Sequence, residues 1–199
     1  MFDATYRHEH KTPFDIIYFL AFLAAIIIGA VLINTFIFRS FNVIGPSMEP
    51  TLQQNDRLIV NKVPLTWAHL QGKDWLPERG QVIIFKNPAL VASRLDEYIV
   101  KRVIGLPGEH IVVHNGTVTA YNRDHPGGFQ PDAALHGPQS PTSGEVDETV
   151  PDGHIFVCGD NRIGMHSLDS RDGLGTIPLN DAEGQVTFRM YPFSRLRGF

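Results

Sequence analysis

The chain has 199 residues, enough for one soluble domain with an appendage rather than two large domains. Its 17 Lys and Arg against 21 Asp and Glu leave a net charge of -4, which gives no basic field to gather nucleic-acid phosphates. Hydrophobic residues at 43% with charged residues at 19% disfavour global disorder, and the single cysteine, Cys158, excludes an intramolecular disulfide framework and any C-x-x-C redox or zinc motif.

From the N-terminus, Ile16 to Phe38 (IIYFLAFLAAIIIGAVLINTFIF) is 23 residues without a charge. As a helix it reaches roughly 34 Å against a hydrocarbon core of about 30 Å, so it can span a bilayer. A buried core helix would be shorter and carry a polar face. A cleavable signal peptide would end in a small-residue cleavage site, and here NTFIFRSFN follows. The segment is read as an uncleaved anchor. Arg7 and Lys11 precede it and Arg39, Arg57 and Lys62 follow it, a balance that sets no orientation.

Residues 39–199 carry 18 acidic and 15 basic residues and read as mainly β. Strands are predicted at 41–45, 57–63, 81–86, 98–105, 110–113, 117–121, 154–159 and 185–191, each a short run rich in Val, Ile, Phe and Tyr between turn signals. Asn115-Gly116 predicts a two-residue hairpin turn, because both central positions need positive φ. Residues 122–153, with five prolines, five glycines and almost no apolar pattern, predict a flexible excursion outside the core.

Three segments carry candidate chemistry. Gly45-Pro46-Ser47-Met48-Glu49-Pro50 is a turn that fixes a serine hydroxyl at a sheet edge, although serine is also common in plain surface turns. Lys101 lies beside Arg102 in an otherwise apolar strand, so the two side chains point to opposite faces and one charge is directed into a groove or the apolar side. A desolvated lysine has its pKa lowered and becomes a base near neutral pH; an edge-strand lysine that discourages aggregation is the alternative. The stretch from Cys158 to Gly173 is dense in hydrogen-bonding side chains, and pairs of Asp160 with Arg162 and Asp169 with Arg171 would rigidify it, with Ser167 free to orient a neighbouring donor.

Together these segments resemble one family, the bacterial type I signal peptidases, membrane-anchored proteases that use a serine and a lysine. GPSMEPTL (45–52) resembles the nucleophile box, YIVKRVIGLPGE (98–109) the lysine box, and GDNR (159–162) with SLDSR (167–171) the last box. GTIP (175–178) and GQVTFRMYP (184–192) look like the closing segment. The likeness leaves out residues 122–153 and part of 64–80.

The resemblance implies a signal-peptidase-like antiparallel β-sheet or barrel domain with one N-terminal transmembrane helix. It implies a cytoplasmic tail at 1–15, an anchor at 16–38 in the plasma membrane, and an extracytoplasmic catalytic domain at 39–199. By it, Ser47 is the nucleophile, Lys101 the neutral general base, Ser167 the hydroxyl that holds the lysine amine, and Asp160, Asp169 and Arg171 structural supports. The Ser47 backbone N–H is the oxyanion donor; Gly45 stands where some members carry a serine as a second donor. Four residues, Ile163 to His166, separate GDNR from Ser167 where the family usually has two. The implied partners are preprotein signal peptides and membrane lipid, without nucleic acid, metal or organic cofactor. The oligomeric state stays open.

Rival readings fit less of the chain. A Ser/His/Asp triad or a metal site would use His166 or His125, but the nine histidines are scattered and no G-x-S-x-G, H-E-x-x-H or S-x-x-K motif is present. A tethered β binding module would explain the anchor and strands without requiring all three segments. Self-cleaving repressors carry a DNA-binding domain where this chain has its apolar span.

Overall fold

The computed structural model describes residues 13–87, 98–133, 141–164 and 167–199. Helix α1, Pro13–Phe36, covers residues 16–36 of the predicted anchor and ends before Phe38, which already opens the first strand, with Pro13 and Asp15 suiting the exposed amides and positive end of a first turn. The stretch Phe14–Phe36 has no buried share at all. A helix apolar on every side and exposed along its span among the described residues is matched to hydrocarbon rather than to water.

The rest is antiparallel β. In chain order the strands are β1 (Phe38–Asn42), β2 (Arg57–Asn61), β3 (Val82–Lys86), β4 (Tyr98–Gly105), β5 (His110–His114), β6 (Thr117–Tyr121), β7 (Val146–Thr149), β8 (His154–Cys158), β9 (Ile177–Pro178), β10 (Ala182–Tyr191) and β11 (Arg197–Gly198). A short helix α2, Val63–Leu70, follows β2. The larger sheet runs β1-β2-β10-β3-β4-β8-β9 with β11 on β10, and the smaller runs β6-β5-β7. That path is open at β1 and β9, so the sheet form of the expectation holds and the barrel form does not. The predicted hairpin is present: Asn115 and Gly116 have φ of 49° and 79°, and His114 pairs with Thr117.

Side-chain alternation gives the larger sheet two apolar faces. Along β3, Ile83 and Phe85 join Leu65, Trp75, Val103 and Val157 on one face. Val82 and Ile84 join Val43, Met48, Leu52 and Val60 on the other. A third cluster lies between the sheets, where Ile104, Phe156 and Cys158 meet Ile111, Val113 and Val150.

Residues 122–153 are not an excursion throughout. Val146–Thr149 pairs with β5 as β7, and Val150 is buried between the sheets. Phe129 bridges Ala120, and the Arg79 guanidinium sits 4.9 Å from its ring centroid. The sequence signal was weak because V-D-E-T offers one apolar side chain in a four-residue strand, too little for a period-2 pattern. Residues 134–140 lie outside the described residues. Replacing Val146–Val150 with a Gly/Ser stretch of equal length should therefore lower Tm by roughly 5–10 °C through lost burial of about 2–3 kcal/mol. Near-UV circular dichroism in detergent reads this, and an unchanged Tm would make the segment dispensable.

Candidate active site

Ser47 sits in the turn between β1 and β2. Gly45 takes φ +84°, in the left-handed region that favours glycine. Met48 and Leu52, just after the serine, are fully buried against the sheet and pin the turn while Ser47 stays half-buried. The far end is clamped by β10, where Arg189 Nη1 donates to the Thr51 carbonyl at 2.9 Å and to the buried Asp56 carboxylate at 3.1 Å.

Lys101, on β4, is 3% exposed. Its Nζ lies 2.8 Å from Ser47 Oγ and donates to the Val100 carbonyl at 3.0 Å. Burial pulls the amine down from 10.5 to about 8, with Asp169 opposing the fall. A neutral amine offers a lone pair at hydrogen-bonding distance from a hydroxyl, which is the geometry for taking its proton.

The neighbouring residue goes elsewhere. Arg102 donates Nε and Nη2 to both oxygens of Asp160, at 2.8 and 2.5 Å, and Nη1 to the Gly80 carbonyl at 2.7 Å. The expected pairing of Asp160 with Arg162 is thus corrected. Arg162, whose side chain has no exposed surface, instead takes Asp132 in a two-pronged pair at 2.6 and 2.7 Å, with Thr142 at 3.0 Å and the Gly159 carbonyl at 2.8 Å. Two guanidiniums in one buried region need two carboxylates, and the sheet hands Asp160 to the arginine on the adjacent strand.

Asp169 pairs with Arg171 as expected, Oδ1 with Nε at 3.0 Å and Oδ2 with Nη2 at 2.8 Å. It also accepts from the Gly159 amide at 2.8 Å and from Ser167 Oγ at 2.7 Å. Burial works to raise the Asp169 pKa, but the hydrogen bonds and charge of Arg171 hold the carboxyl below its usual range. The resemblance assigned the Ser167 hydroxyl to the lysine amine. In this structure it donates to Asp169, and among the described residues the partners of the amine are Ser47 and Val100.

Two positions gain roles that sequence reasoning did not give them. Asn161 donates its backbone N–H to the Ser47 carbonyl at 3.0 Å and its Nδ2 to the Pro46 carbonyl at 3.2 Å, tying the serine turn to the loop after β8. Gly159 has no space for a side chain, since a Cβ there would collide with Ser167 Oγ and the Ser47 carbonyl oxygen. The only signal for either was membership of the GDNR box.

Beside the pair lies an open cleft of about 410 Å³ with walls that include Phe41, Val43, Ile84, Tyr98, Val100 and Leu168. Its walls suit apolar side chains. The Ser47 backbone N–H has no hydrogen-bond partner among the described residues. Cys158 is fully buried, and burial first, then the nearby Asp169 charge, pushes its thiol up to about 12. Among the described residues no three His, Cys, Asp or Glu side chains are grouped to hold a metal, and His166 lies outside them.

Residues 15–191 match the family described as signal peptidase, peptidase S26. The chain belongs to that family. Probable signal peptidase I-1 of Synechocystis is 35% identical over 87% of this chain and 81% of its own length. Signal peptidase I P of Bacillus subtilis subsp. natto is 33% identical over 86% of each. A signal peptidase I structure from Enterococcus faecalis aligns with 56% of this chain and 97% of its own at 26% identity and a TM-score of 0.41; the fold described above rests on its own strand pairing. As a member of the signal peptidase family, this chain is a serine endopeptidase that removes signal peptides from preproteins, and α1 fits membrane anchoring.

The close approach at Gly159 generates a direct expectation. Gly159→Ala should leave the β signal in circular dichroism intact and reduce kcat/KM at least about 100-fold, because a displacement of about 1 Å at the serine turn is enough to misalign attack. Activity within about threefold of the parent would show that the packing of Ser47 and Ser167 on this glycine is irrelevant to catalysis.

Proposed function

We propose that Ser47 is the nucleophile and Lys101 the general base of the peptidase reaction. The observation that carries this reading is the 2.8 Å approach of a buried, pKa-lowered lysine amine to a serine hydroxyl at the edge of an apolar cleft. Ser47 Oγ attacks the scissile carbonyl while Nζ takes its proton. The ammonium then protonates the leaving amine, which departs as the new N-terminus. Lys101, neutral again, takes a proton from water as its oxygen attacks the ester carbonyl, and the ammonium returns that proton to Ser47 Oγ as the acyl–oxygen bond breaks and the signal peptide leaves with a free carboxyl end. The Ser47 N–H receives the developing oxyanion; Gly45 supplies no side-chain donor. Asp160, Asp169, Arg171 and Ser167 act as supports.

The same proposal places residues 39–199 on the extracytoplasmic side, the tail at 1–15 in the cytoplasm, and lipid around α1. It follows the family resemblance, and an exported chain presents its cleavage site on the side to which it is exported.

Ser47→Ala and Lys101→Met should each abolish cleavage with the fold intact, and Lys101→Arg should fail too because a guanidinium keeps its proton. Mass spectrometry of the N-terminus released from a preprotein checks this; more than a few per cent residual activity in either variant would refute the pair.

With a pKa of about 8, only about a tenth of Lys101 is neutral at pH 7, so kcat/KM should rise almost tenfold per pH unit below 8 and level off above it. A limb near 6.5 that vanishes in a histidine variant would move the base role to that histidine.

Stability carries the same signature with a definite sign. Because the folded pKa lies below the value of 10.5, folding releases a proton between about pH 8 and 10.5, and the charged lysine costs stability below that window. At pH 7, Lys101→Met should be more stable by about 2–3 kcal/mol in denaturant unfolding, an advantage that shrinks above pH 8. A variant less stable than the parent at pH 7 would contradict a desolvated amine.

A further inference from the structure

The cleft has a far end that the catalytic pair does not occupy. β8 pairs with β4 from Arg102 onward, and the cleft follows residues 98–101 of β4, with Lys101 at one end of that run and Tyr98 at the other. Three residues of strand separate them, about 10 Å. The Tyr98 ring meets that of Phe41 edge-on, with centroids 5.2 Å apart and planes at 66°. Three strands lie between β1 and β4 in the order of the sheet, so this ring pair reaches across its face instead of joining neighbours.

Arg39 holds both rings. Its Cζ lies 4.9 Å from the Phe41 ring centroid and 4.7 Å from that of Tyr98, and its Nη1 donates to the Tyr98 hydroxyl at 3.2 Å. The same Nη1 is 3.6 Å from the carboxylate of Glu183 on β10, which also pairs with Lys62 at 3.0 Å and Lys86 at 3.9 Å. The guanidinium is thus tethered on one side and stacked on two rings on the other, an arrangement that suits a planar cation and not a point charge. Phe41 and Tyr98 line the cleft, whereas Arg39 does not. It braces the wall from outside.

We infer that Arg39 is a specificity-determining residue of the peptidase: by clamping Phe41 to Tyr98 it fixes the width of the far end of the cleft and so limits the size of the substrate side chain admitted there. The inference rests on the reading of Ser47 and Lys101 as the catalytic pair, which puts the scissile carbonyl at the near end. A substrate chain extended from that point meets the Phe41 and Tyr98 wall about three residues from the bond that is cut. Both rings are only half-buried. Without the clamp each is free to turn to another rotamer, and the space they vacate takes a longer side chain.

The test uses the full chain in detergent and a preprotein series in which each residue near the cleaved bond is in turn Ala, Leu, Phe or Asp, with mass spectrometry to read the bond cut and its kcat/KM. Arg39→Ala should raise the Leu-to-Ala and Phe-to-Ala ratios of kcat/KM at least about fivefold at one position, roughly three residues from the bond, and leave these ratios at the other positions within about twofold of the parent. Arg39→Lys keeps a charge facing Glu183 but cannot stack on two rings at once, and it should relax the same position.

Unchanged ratios in Arg39→Ala, with Ser47→Ala inert, overturn the inference and leave the catalytic pair standing. Cleavage by Ser47→Ala removes the pair, and the inference goes with it. Parental selectivity in Arg39→Lys would make charge the determinant in place of the clamp, and a selective loss of the Asp substrates in Arg39→Ala would make Arg39 a direct ligand of an acidic side chain; either result overturns the inference. Equal relaxation at every position would mean a loosened site and overturns it too. Circular dichroism checks the fold. If Arg39→Ala does not fold, Arg39→Lys decides alone, since relaxation at the one position supports the clamp and parental selectivity refutes it.

Discussion

An amine must be kept dry to stay neutral, and much of the site can be understood from that constraint. Lys101 lies near two carboxylates, Asp160 and Asp169, both of which raise its pKa and so oppose the burial that lowers it. Each carboxylate is occupied by a guanidinium, Asp160 by Arg102 and Asp169 by Arg171, and Arg171 itself pushes the lysine pKa down. The arginines therefore do more than stiffen a loop. They balance the negative charges that would otherwise fix a proton on the base, and they let polar scaffolding stand close to an amine that works only when uncharged.

The same network explains why the segment ahead of β7 cannot be treated as a loop hung outside the core. Arg162 is among the largest fully buried side chains, and its two-pronged partner Asp132 comes from residues 122–153. Removing one member of a buried pair leaves a charge without compensation, at a cost of about 3–5 kcal/mol. Ser143 adds further ties, its amide donating to the Arg162 carbonyl at 2.9 Å and its carbonyl accepting from Arg171 at 3.0 Å.

What could be read from the sequence was what the chain writes locally. Ser47 and Lys101 stand in short segments whose composition advertises a turn and a strand, and seven of the eight predicted strands lie where runs of β-branched residues put them, whereas the one expected at 41–45 forms earlier, at Phe38–Asn42. Pairing across long separations was harder to read. Arg102 and Asp160 are 58 positions apart, Arg162 and Asp132 are 30 apart, and adjacency in sequence favoured the wrong partner for Asp160. Helix α2 was missed because VPLTWAHL is apolar on both faces and so shows no clean helical period. The strands β9 and β11 have two residues each, below the length at which a pattern exists.

Cys158 ends β8 immediately before Gly159, yet its sulfur belongs to the core between the two sheets. With its pKa pushed up to about 12, it holds almost no thiolate at neutral pH, and its side chain is closed off from solvent. Thiol-directed reagents thus have no accessible cysteine on this protein. A cysteine introduced at the exposed edge of the cleft would be its one addressable thiol, so a spectroscopic or cross-linking label could be attached at a chosen distance from Ser47 without first removing a native residue.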